Sequence, residues 1–181
     1  IFAYTFRPYQ LPLIHGRNVV NVKITSNKSQ LKPGQVVIDE GSRIVISTID
    51  YDVIIFFDKL DIFLSNIEKM NFDEFAEGIN YIAGVNDRNK LGWSPIIVAA
   101  YNGRLDFVEH LLSLGANIDD SNFKGTSVLM YAKDYFIRSG NIEVFSYLLT
   151  HGANINKKDY SGNKLIDYLS QDEIELLRGY L

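Results

Sequence analysis

Two segments of this chain repeat one pattern: residues 92–119 read GWSPIIVAAYNGRLDFVEHLLSLGANID, and residues 125–156 read GTSVLMYAKDYFIRSGNIEVFSYLLTHGANIN. The opening glycines, Gly92 and Gly125, lie 33 residues apart, whereas the closing Gly-Ala-Asn-Ile tetrads lie 37 residues apart. The second copy therefore carries four extra residues, which fit between Ala132 and Gly140. A period of about 33 residues is typical of a repeat made of a turn and two helices.

Each copy has the features of two short helices that end in a glycine. Pro95 suits the first turn of a helix, where its missing N–H is not needed. In the second helix, Val108, Leu111 and Leu112 fall on one face. Gly115 then predicts a left-handed cap. Because one unit cannot bury such faces alone, we expect the units to stack.

The two copies resemble the ankyrin-repeat family. The family pattern is Gly-x-Thr-Pro-Leu-His-x-Ala-Ala, then a glycine, then Val-x-x-Leu-Leu-x-x-Gly-Ala. The first copy keeps most of it, with Ser94 in place of Thr. The second copy departs further, because Ser127-Val128 replaces Thr-Pro and Lys133 replaces the second Ala. The resemblance implies a helical repeat fold and says less about function, since one fold hosts many functions.

The segments on either side are interpreted as atypical end repeats. Residues 58–88 have apolar residues at helical spacing, and Phe72 precedes Leu105 by the same 33 residues. Residues 157–181 begin a last repeat, in which Gly162 follows the corresponding glycine of the second copy by 37 residues. End repeats are expected to be degenerate because they close the stack.

The inserted segment of the second copy, Lys133–Ser139, has two interpretations. It either lengthens the first helix of that copy or forms a projecting loop, and insertions of this kind often serve binding. Phe136 and Ile137 could equally be buried to close the stack.

Residues 1–57 do not follow the repeat, and their pattern predicts β structure. Proline interrupts the short apolar stretches Phe2–Phe6 and Leu11–Ile14, which favours extended or edge segments. Further on, Val20, Val22 and Ile24 alternate with polar residues, as in a strand with one wet face. Three more apolar runs, separated by turn residues, predict the remaining strands: Val36–Ile38, Arg43–Ile49 and Val53–Phe57.

The predicted fold class is α+β. A small β-meander of about four strands occupies residues 1–57, and a helical ankyrin-repeat solenoid occupies residues 58–181. The solenoid is expected to have about three to four repeats, including the degenerate end units.

The composition of the 181 residues sets limits on function. The chain is 46% hydrophobic and 22% charged, as in ordinary globular proteins. Its net charge of −4 implies no general attraction to nucleic acid or to an anionic membrane. The absence of cysteine excludes disulfides, thiolate catalysis and cysteine metal sites, and it fits a cytoplasmic protein without excluding export. Because the chain starts at Ile1, we expect a fragment, a processed product or missing first residues.

Catalytic motifs are absent from the sequence. There is no dinucleotide-binding Gly-x-Gly-x-x-Gly, no P-loop, no His-Glu-x-x-His and no Gly-x-Ser-x-Gly. The histidines, His15, His110 and His151, stand at unrelated positions, and Asp119-Asp120 falls in an inter-repeat turn, where acidic residues are common. We therefore expect no catalytic residue, no cofactor and no metal.

The resemblance implies that partners bind at the hairpin tips and at the exposed positions of the first helices. Tryptophan and tyrosine are preferred interface anchors, although they can also pack between adjacent hairpins. Carried onto this sequence, the expected partner-binding residues are Lys90, Leu91, Trp93, Tyr101, Asn102, Leu114, Phe123, Lys124, Thr126, Asp134, Tyr160, Ser161 and Asn163.

The expected function is non-catalytic protein–protein interaction by a monomer, through the hairpin tips and a concave helical face, with no nucleic acid or membrane partner. A more specific expectation is an inhibitor or immunity-type protein. The alternative is an ankyrin targeting module attached to a fragment of an N-terminal enzyme or ligand-binding domain. A third hypothesis is a structural module that oligomerises through Val53–Phe57 as an edge strand.

Overall fold

The computed structural model describes residues 13–14, 17–28, 30–40 and 43–180. The chain forms two compact units. The first unit holds the described residues up to Phe63 together with Glu77–Gly84, and the second holds Leu64–Ala76 and the residues from Val85 onward. The predicted extended stretch Phe2–Phe6 and the residue His15 lie outside the described residues.

The first unit contains an antiparallel sheet. Among the described residues its strands follow the order β1-β2-β5-β4-β3. The order differs from the predicted meander, because β3, β4 and β5 follow one another but β2 pairs with β5 rather than with β3. The strands are β1 Leu13–Ile14, β2 Arg17–Lys28, β3 Val36–Asp39, β4 Arg43–Ile46 and β5 Tyr51–Phe57.

The central strand is β5, because both of its faces are apolar. On one face, Ile55 and Phe57 form a buried cluster with Val19 and Ile44. On the other face, the Phe56 ring lies 5.2 Å from the ring of Tyr81. A strand that is paired on both sides leaves no free edge, so the hypothesis of an oligomer formed through an edge strand at Val53–Phe57 is wrong.

An irregularity in β2 changes which of its residues face the core. The pairing register shifts between Val19 and Asn21, as at a β-bulge, which reverses the alternation of faces beyond it. Val19 and Val22 therefore face the same buried cluster, and Ile24, which pairs with Val53, lies on the same face as Val22 but is 65% exposed. The predicted alternation holds for Val22 and Ile24 and is wrong for Val20, which the register shift separates from them.

Helices form the rest of the described chain. In the second unit, α3 packs against α4 and α5, α5 packs against α6, and α4 packs against α6, so two helix pairs lie side by side. Short 3-10 helices cover Ile79–Tyr81 and Leu165–Tyr168. The α-helices are α1 Leu60–Asn66, α2 Phe72–Gly78, α3 Pro95–Tyr101, α4 Leu105–Ser113, α5 Val128–Ser139, α6 Glu143–Thr150 and α7 Gln171–Leu177.

The helix boundaries follow the predicted signals. Pro95 is the first residue of α3, and every residue of that helix up to Ala100 is buried. In α4, Phe107, Val108 and Leu111 are fully buried. Gly115 follows α4 with a φ of 86°, which confirms the predicted left-handed cap.

The inserted segment lengthens a helix. α5 has 12 residues where the equivalent α3 has 7, and it runs through Lys133–Ser139 to the left-handed Gly140. Of the two interpretations of the insertion, the structure therefore supports the longer helix and not the projecting loop. Phe136 and Ile137 are half-buried.

Candidate functional site

Three hairpins connect the helix pairs, and each is closed by the same side-chain arrangement. The Asn89 carboxamide oxygen accepts hydrogen bonds from the backbone N–H groups of Leu91 and Trp93, both at 3.0 Å. Asn122 and Asp159 accept the corresponding pairs of bonds, from the residues two and four positions further on, at 2.8 to 3.0 Å. Each bond satisfies a backbone donor in the turn, so the three tips share one backbone conformation.

Successive tips approach each other too closely for a side chain between them. Gly92 and Gly125 have φ values of 84° and 83°. A Cβ atom on Gly92 would lie 2.7 Å from the backbone nitrogen of Phe123, and one on Gly125 would lie 2.7 Å from that of Tyr160. The Tyr160 N–H donates to the Lys124 carbonyl at 3.0 Å, which joins the second and third tips.

Side chains at the base of the hairpins add further links. The Asn86 carboxamide accepts a hydrogen bond from the Asn117 N–H at 2.8 Å and donates one to the Gly115 carbonyl at 3.0 Å. Asp119 repeats this contact one repeat later by accepting from the Asn154 N–H at 2.8 Å. The Gly-Ala-Asn-Ile tetrads are therefore tied to the preceding hairpin by hydrogen bonds to asparagine or aspartate.

Asp120 is not an ordinary turn residue. Its side chain is only 2% exposed, and it accepts hydrogen bonds from the Arg88 guanidinium and the Ser94 hydroxyl. A buried carboxylate needs such partners to offset its lost hydration. Ser94, which replaces the family's threonine, thus ties α3 to the next hairpin, and the expectation of simple turn chemistry for Asp120 is wrong.

The residues at the tips face solvent. Leu91, Phe123 and Tyr160 are 70%, 59% and 79% exposed, which is high for large apolar side chains. The rings of Phe123 and Tyr160 also lie against Gly92 and Gly125 of the preceding tips. The alternative expectation, that these aromatic side chains pack between adjacent hairpins, is therefore correct in part. We call the exposed residues at the three tips the tip ridge: Lys90, Leu91, Phe123, Lys124, Tyr160 and Ser161.

Beside the tips, three aromatic rings form a cluster that we call the aromatic triad: Trp93, Tyr101 and Tyr131. The ring centroids lie 6.2 Å apart for Trp93 and Tyr101, 6.3 Å for Trp93 and Tyr131, and 6.0 Å for the two tyrosines. The Asn122 amide donates to the Tyr131 hydroxyl at 2.7 Å, which connects the triad to the second hairpin. Partial burial raises the pKa of Tyr131 above its ordinary value. All three residues are half-buried, so the triad supports the fold and also presents an aromatic surface.

A cleft of about 290 Å³ lies on the next part of this face, between α5 and the last repeat. Its lining includes the predicted Thr126 and Asp134, together with Met130, Lys133 and Tyr168, which the prediction missed. Lys133 is buried along most of its length and forms an ion pair with Asp134. The cleft thus combines an apolar wall with a compensated charge pair.

The remaining predicted residues have separate positions. Asn102 caps the end of α3, and its amide donates to the Val98 carbonyl at 2.9 Å. Leu114 is exposed at the end of α4. Asn163 donates its N–H to Asp159 within the third hairpin and its amide to the Tyr168 hydroxyl at 3.1 Å. Of these three predicted residues, Asn163 therefore connects the third tip to the cleft, whereas Asn102 and Leu114 contact neither.

The prediction missed two features of this surface. Asn89, Asn122 and Asp159 each stand three residues before a tip glycine, so a recurring Asn/Asp-x-x-Gly motif was present in the sequence. Tyr131 had no such signal, because its contacts depend on how α3 packs against α5.

The third hairpin is expected to be sensitive to acid. The pKa of Asp159 lies below its ordinary value, chiefly because the Tyr168 hydroxyl donates to the carboxylate, and the backbone N–H groups of Asn163 and Ser161 add to the effect. A carboxyl whose pKa is depressed in the folded state contributes stability above its unfolded-state pKa, which is about 4, and this stability is lost as the pH falls through the folded value. Hydrogen exchange should show lower protection of the Ser161 and Asn163 amides below about pH 4.

Asp159→Asn is the control for this prediction, because asparagine performs the same role at Asn89 and Asn122. The variant should keep its protection factors in the third hairpin over the same pH range. Equal acid sensitivity in both proteins would contradict the assignment to Asp159.

The described residues meet the requirements of neither a metal site nor a membrane-spanning helix. Within residues 13–14, 17–28, 30–40 and 43–180, no group of three or more His, Asp or Glu side chains could hold a metal ion. In the same part of the chain, no helix has the length and apolar character needed to cross a bilayer.

Comparison with known protein families identifies a match to part of the chain. A family model described as ankyrin repeats, in three copies, matches residues 66–159, which is just over half of the chain. No curated protein sequence matches the chain.

Proposed function

Because this chain belongs to the ankyrin-repeat family, whose repeats generally mediate protein–protein interaction, we propose that it is a non-catalytic module that binds a partner protein. The binding surface that we propose is the tip ridge together with the aromatic triad and the cleft beside them. In this proposal the helix pairs stack as a solenoid, and the first helices form its concave face.

The exposure of Leu91, Phe123 and Tyr160 is the observation that carries the proposal. Large apolar side chains are costly to leave in water, and contiguous apolar patches on a protein surface often mark an interaction site. These three lie on consecutive tips whose backbone is fixed by the Asn/Asp hydrogen bonds, so little conformational entropy would be lost on binding.

The use of the polar groups supports a non-catalytic role. Asp120 is held by Arg88 and Ser94, and Lys133 is paired with Asp134. Asp159 closes its hairpin. Each of these groups stabilises the fold through the bond it makes, and none is left unpaired next to a nucleophile in the manner of a catalytic acid or base. An inhibitor or immunity-type role is one form that such a binding module could take.

Replacing Leu91, Phe123 and Tyr160 together by Ser tests the proposal. Interface anchors each contribute on the order of 1–2 kcal/mol or more, so partner capture should fall at least about tenfold. The measurement is affinity purification from the native host with quantitative mass spectrometry, using wild type and variant at equal concentration. Trp93 and Tyr101 are left unchanged, because they pack on Tyr131 and their loss would perturb the fold.

The matched control replaces three other exposed apolar residues, Ile24, Ile49 and Leu176, by Ser. This control removes a comparable exposed apolar surface elsewhere and should capture the same proteins as wild type. Thermal unfolding would establish that both variants are folded. Loss of capture by the control alone would contradict the proposal and would favour the sheet unit or the last helix as the binding site.

A further inference from the structure

We propose that the tip ridge binds an acidic segment of its partner, in which Asp or Glu side chains flank an apolar anchor. This inference rests on the proposed function, because it names the chemistry of the partner for the same surface. It depends on where the charges of the three hairpins lie and on which of them are already engaged.

Each hairpin presents one exposed lysine: Lys90 and Lys124 belong to the tip ridge, and Lys158 stands two residues before Tyr160 in the third hairpin. In the part of the chain that the structure describes, none of these ammonium groups forms an ion pair with a carboxylate. Two of them, Lys90 and Lys124, are next to Leu91 and Phe123 in sequence, so positive charge and apolar surface alternate along the ridge.

The hairpin carboxylates are used differently from these lysines. Asp119 accepts the Asn154 N–H, and Asp120 is buried against Arg88 and Ser94. Asp159 accepts two backbone N–H groups and the Tyr168 hydroxyl. Donors of the protein itself therefore engage these three carboxylates, while the lysines remain available to a ligand.

The ratio of basic to acidic residues in the hairpins also favours an acidic ligand. The hairpin segments 86–93, 119–126 and 156–163 hold five Lys or Arg and four Asp, whereas the whole chain holds 18 Lys or Arg and 22 Asp or Glu. A net negative protein with exposed cations on its hairpins attracts the acidic part of a partner to these hairpins.

The apolar side chains favour a peptide over a nucleic acid. Nucleic-acid affinity comes largely from many phosphate contacts, and three separated lysines on a chain of net charge −4 provide few of them. Leu91, which is 70% exposed, has no role in phosphate binding but suits an apolar anchor. The ligand is therefore expected to combine carboxylates with an aromatic or aliphatic side chain.

Selection from a phage-displayed library of random dodecapeptides against the full chain tests the inference. We expect the selected peptides to be enriched in Asp and Glu within three positions of an aromatic or aliphatic residue. The triple variant Lys90→Glu, Lys124→Glu, Lys158→Glu should bind the best such peptide about tenfold or more weakly, since each exposed pair contributes on the order of two- to fivefold. The difference should shrink as salt is raised.

The matched control is Lys23→Glu, Lys28→Glu, Lys32→Glu, which changes the net charge equally at exposed lysines of the sheet unit. It should bind the peptide within about twofold of wild type. Circular dichroism would establish that both charge variants are folded.

The other outcomes overturn the inference in distinguishable ways. Selected peptides that lack an acidic excess but fail to bind the Leu91, Phe123 and Tyr160 serine variant would refute the acidic partner and leave the proposed function standing. Peptides that bind that serine variant as tightly as wild type, or a library without binders, would refute both. Tight binding of a single-stranded oligothymidylate that is lost on lysine reversal would favour a nucleic acid instead.

Discussion

Replacement of Phe107 by Ala is expected to lower the free energy of unfolding of the repeat unit by about 3–5 kcal/mol. The Phe107 side chain is fully buried, and its ring stacks on the ring of Phe75 with centroids 3.8 Å apart and planes only 4° apart. The guanidinium of Arg104 lies 3.5 Å from the centroid of the Phe107 ring. It also donates a hydrogen bond to the Met70 carbonyl at 2.7 Å. Truncation would leave a cavity where the segment around Phe75 meets α4 and would remove the surface on which Arg104 rests.

Chemical denaturation followed by circular dichroism measures this loss, and Tm should fall on the order of 10 °C. Phe107→Leu is the control: it keeps most of the volume and loses the ring stacking, so it should cost about 1–2 kcal/mol. A loss below about 1 kcal/mol for Phe107→Ala, or equal losses for both variants, would show that the contact with Phe75 does not hold the repeats together.

The second large effect concerns the tip glycines. Gly125→Ala is expected to cost about 3 kcal/mol, of which about 1 kcal/mol is the left-handed backbone at φ 83° and the rest is overlap. A Cβ atom there would lie 2.7 Å from the Tyr160 nitrogen and 2.9 Å from the Asp159 Cα, which are backbone atoms of the next hairpin. Backbone cannot move aside as a flexible side chain can, so the third hairpin would have to shift.

Gly162→Ala provides the matched comparison. Gly162 holds the equivalent position of the third hairpin with a φ of 87°, but a Cβ atom there would meet nothing within 4 Å. The substitution should therefore cost only the backbone term, about 1 kcal/mol. Equal losses at Gly125 and Gly162 in equilibrium unfolding would mean that the close approach of the hairpins contributes nothing to stability.

Local sequence signals predicted the helical half of the fold well. Pro95 at the start of α3 and Gly115 after α4 act through backbone geometry within a few residues, and the apolar spacing of Val108 and Leu111 depends only on the helical period. The order of the strands in the sheet was harder to predict, because an alternating pattern indicates a strand but does not indicate which strand it pairs with. The sequence of residues 17–28 does not indicate that this strand pairs with β5. The β-bulge after Val19 likewise has no characteristic residue by which it could be predicted.

The residues of the proposed binding surface could be predicted only where position within the repeat determines exposure. The resemblance therefore led to Leu91, Phe123 and Tyr160, all of which are exposed. Tyr131 and Tyr168 were missed, because their roles arise from neighbours that come together only when the helices pack. The hydrogen-bonding residues Asn89 and Asn122 were missed for a different reason, since Asn is common in every kind of turn.

The length of α5 determines which insertions into this helix the fold can accept. An α-helix turns once in 3.6 residues, so an insertion of four rotates everything beyond it by only about 40° from the original face. An insertion of one or two would rotate it by about 100° or 200° and turn apolar residues toward solvent. We therefore expect a library of codon insertions within α5 to tolerate additions of about one helical turn and to reject shorter ones.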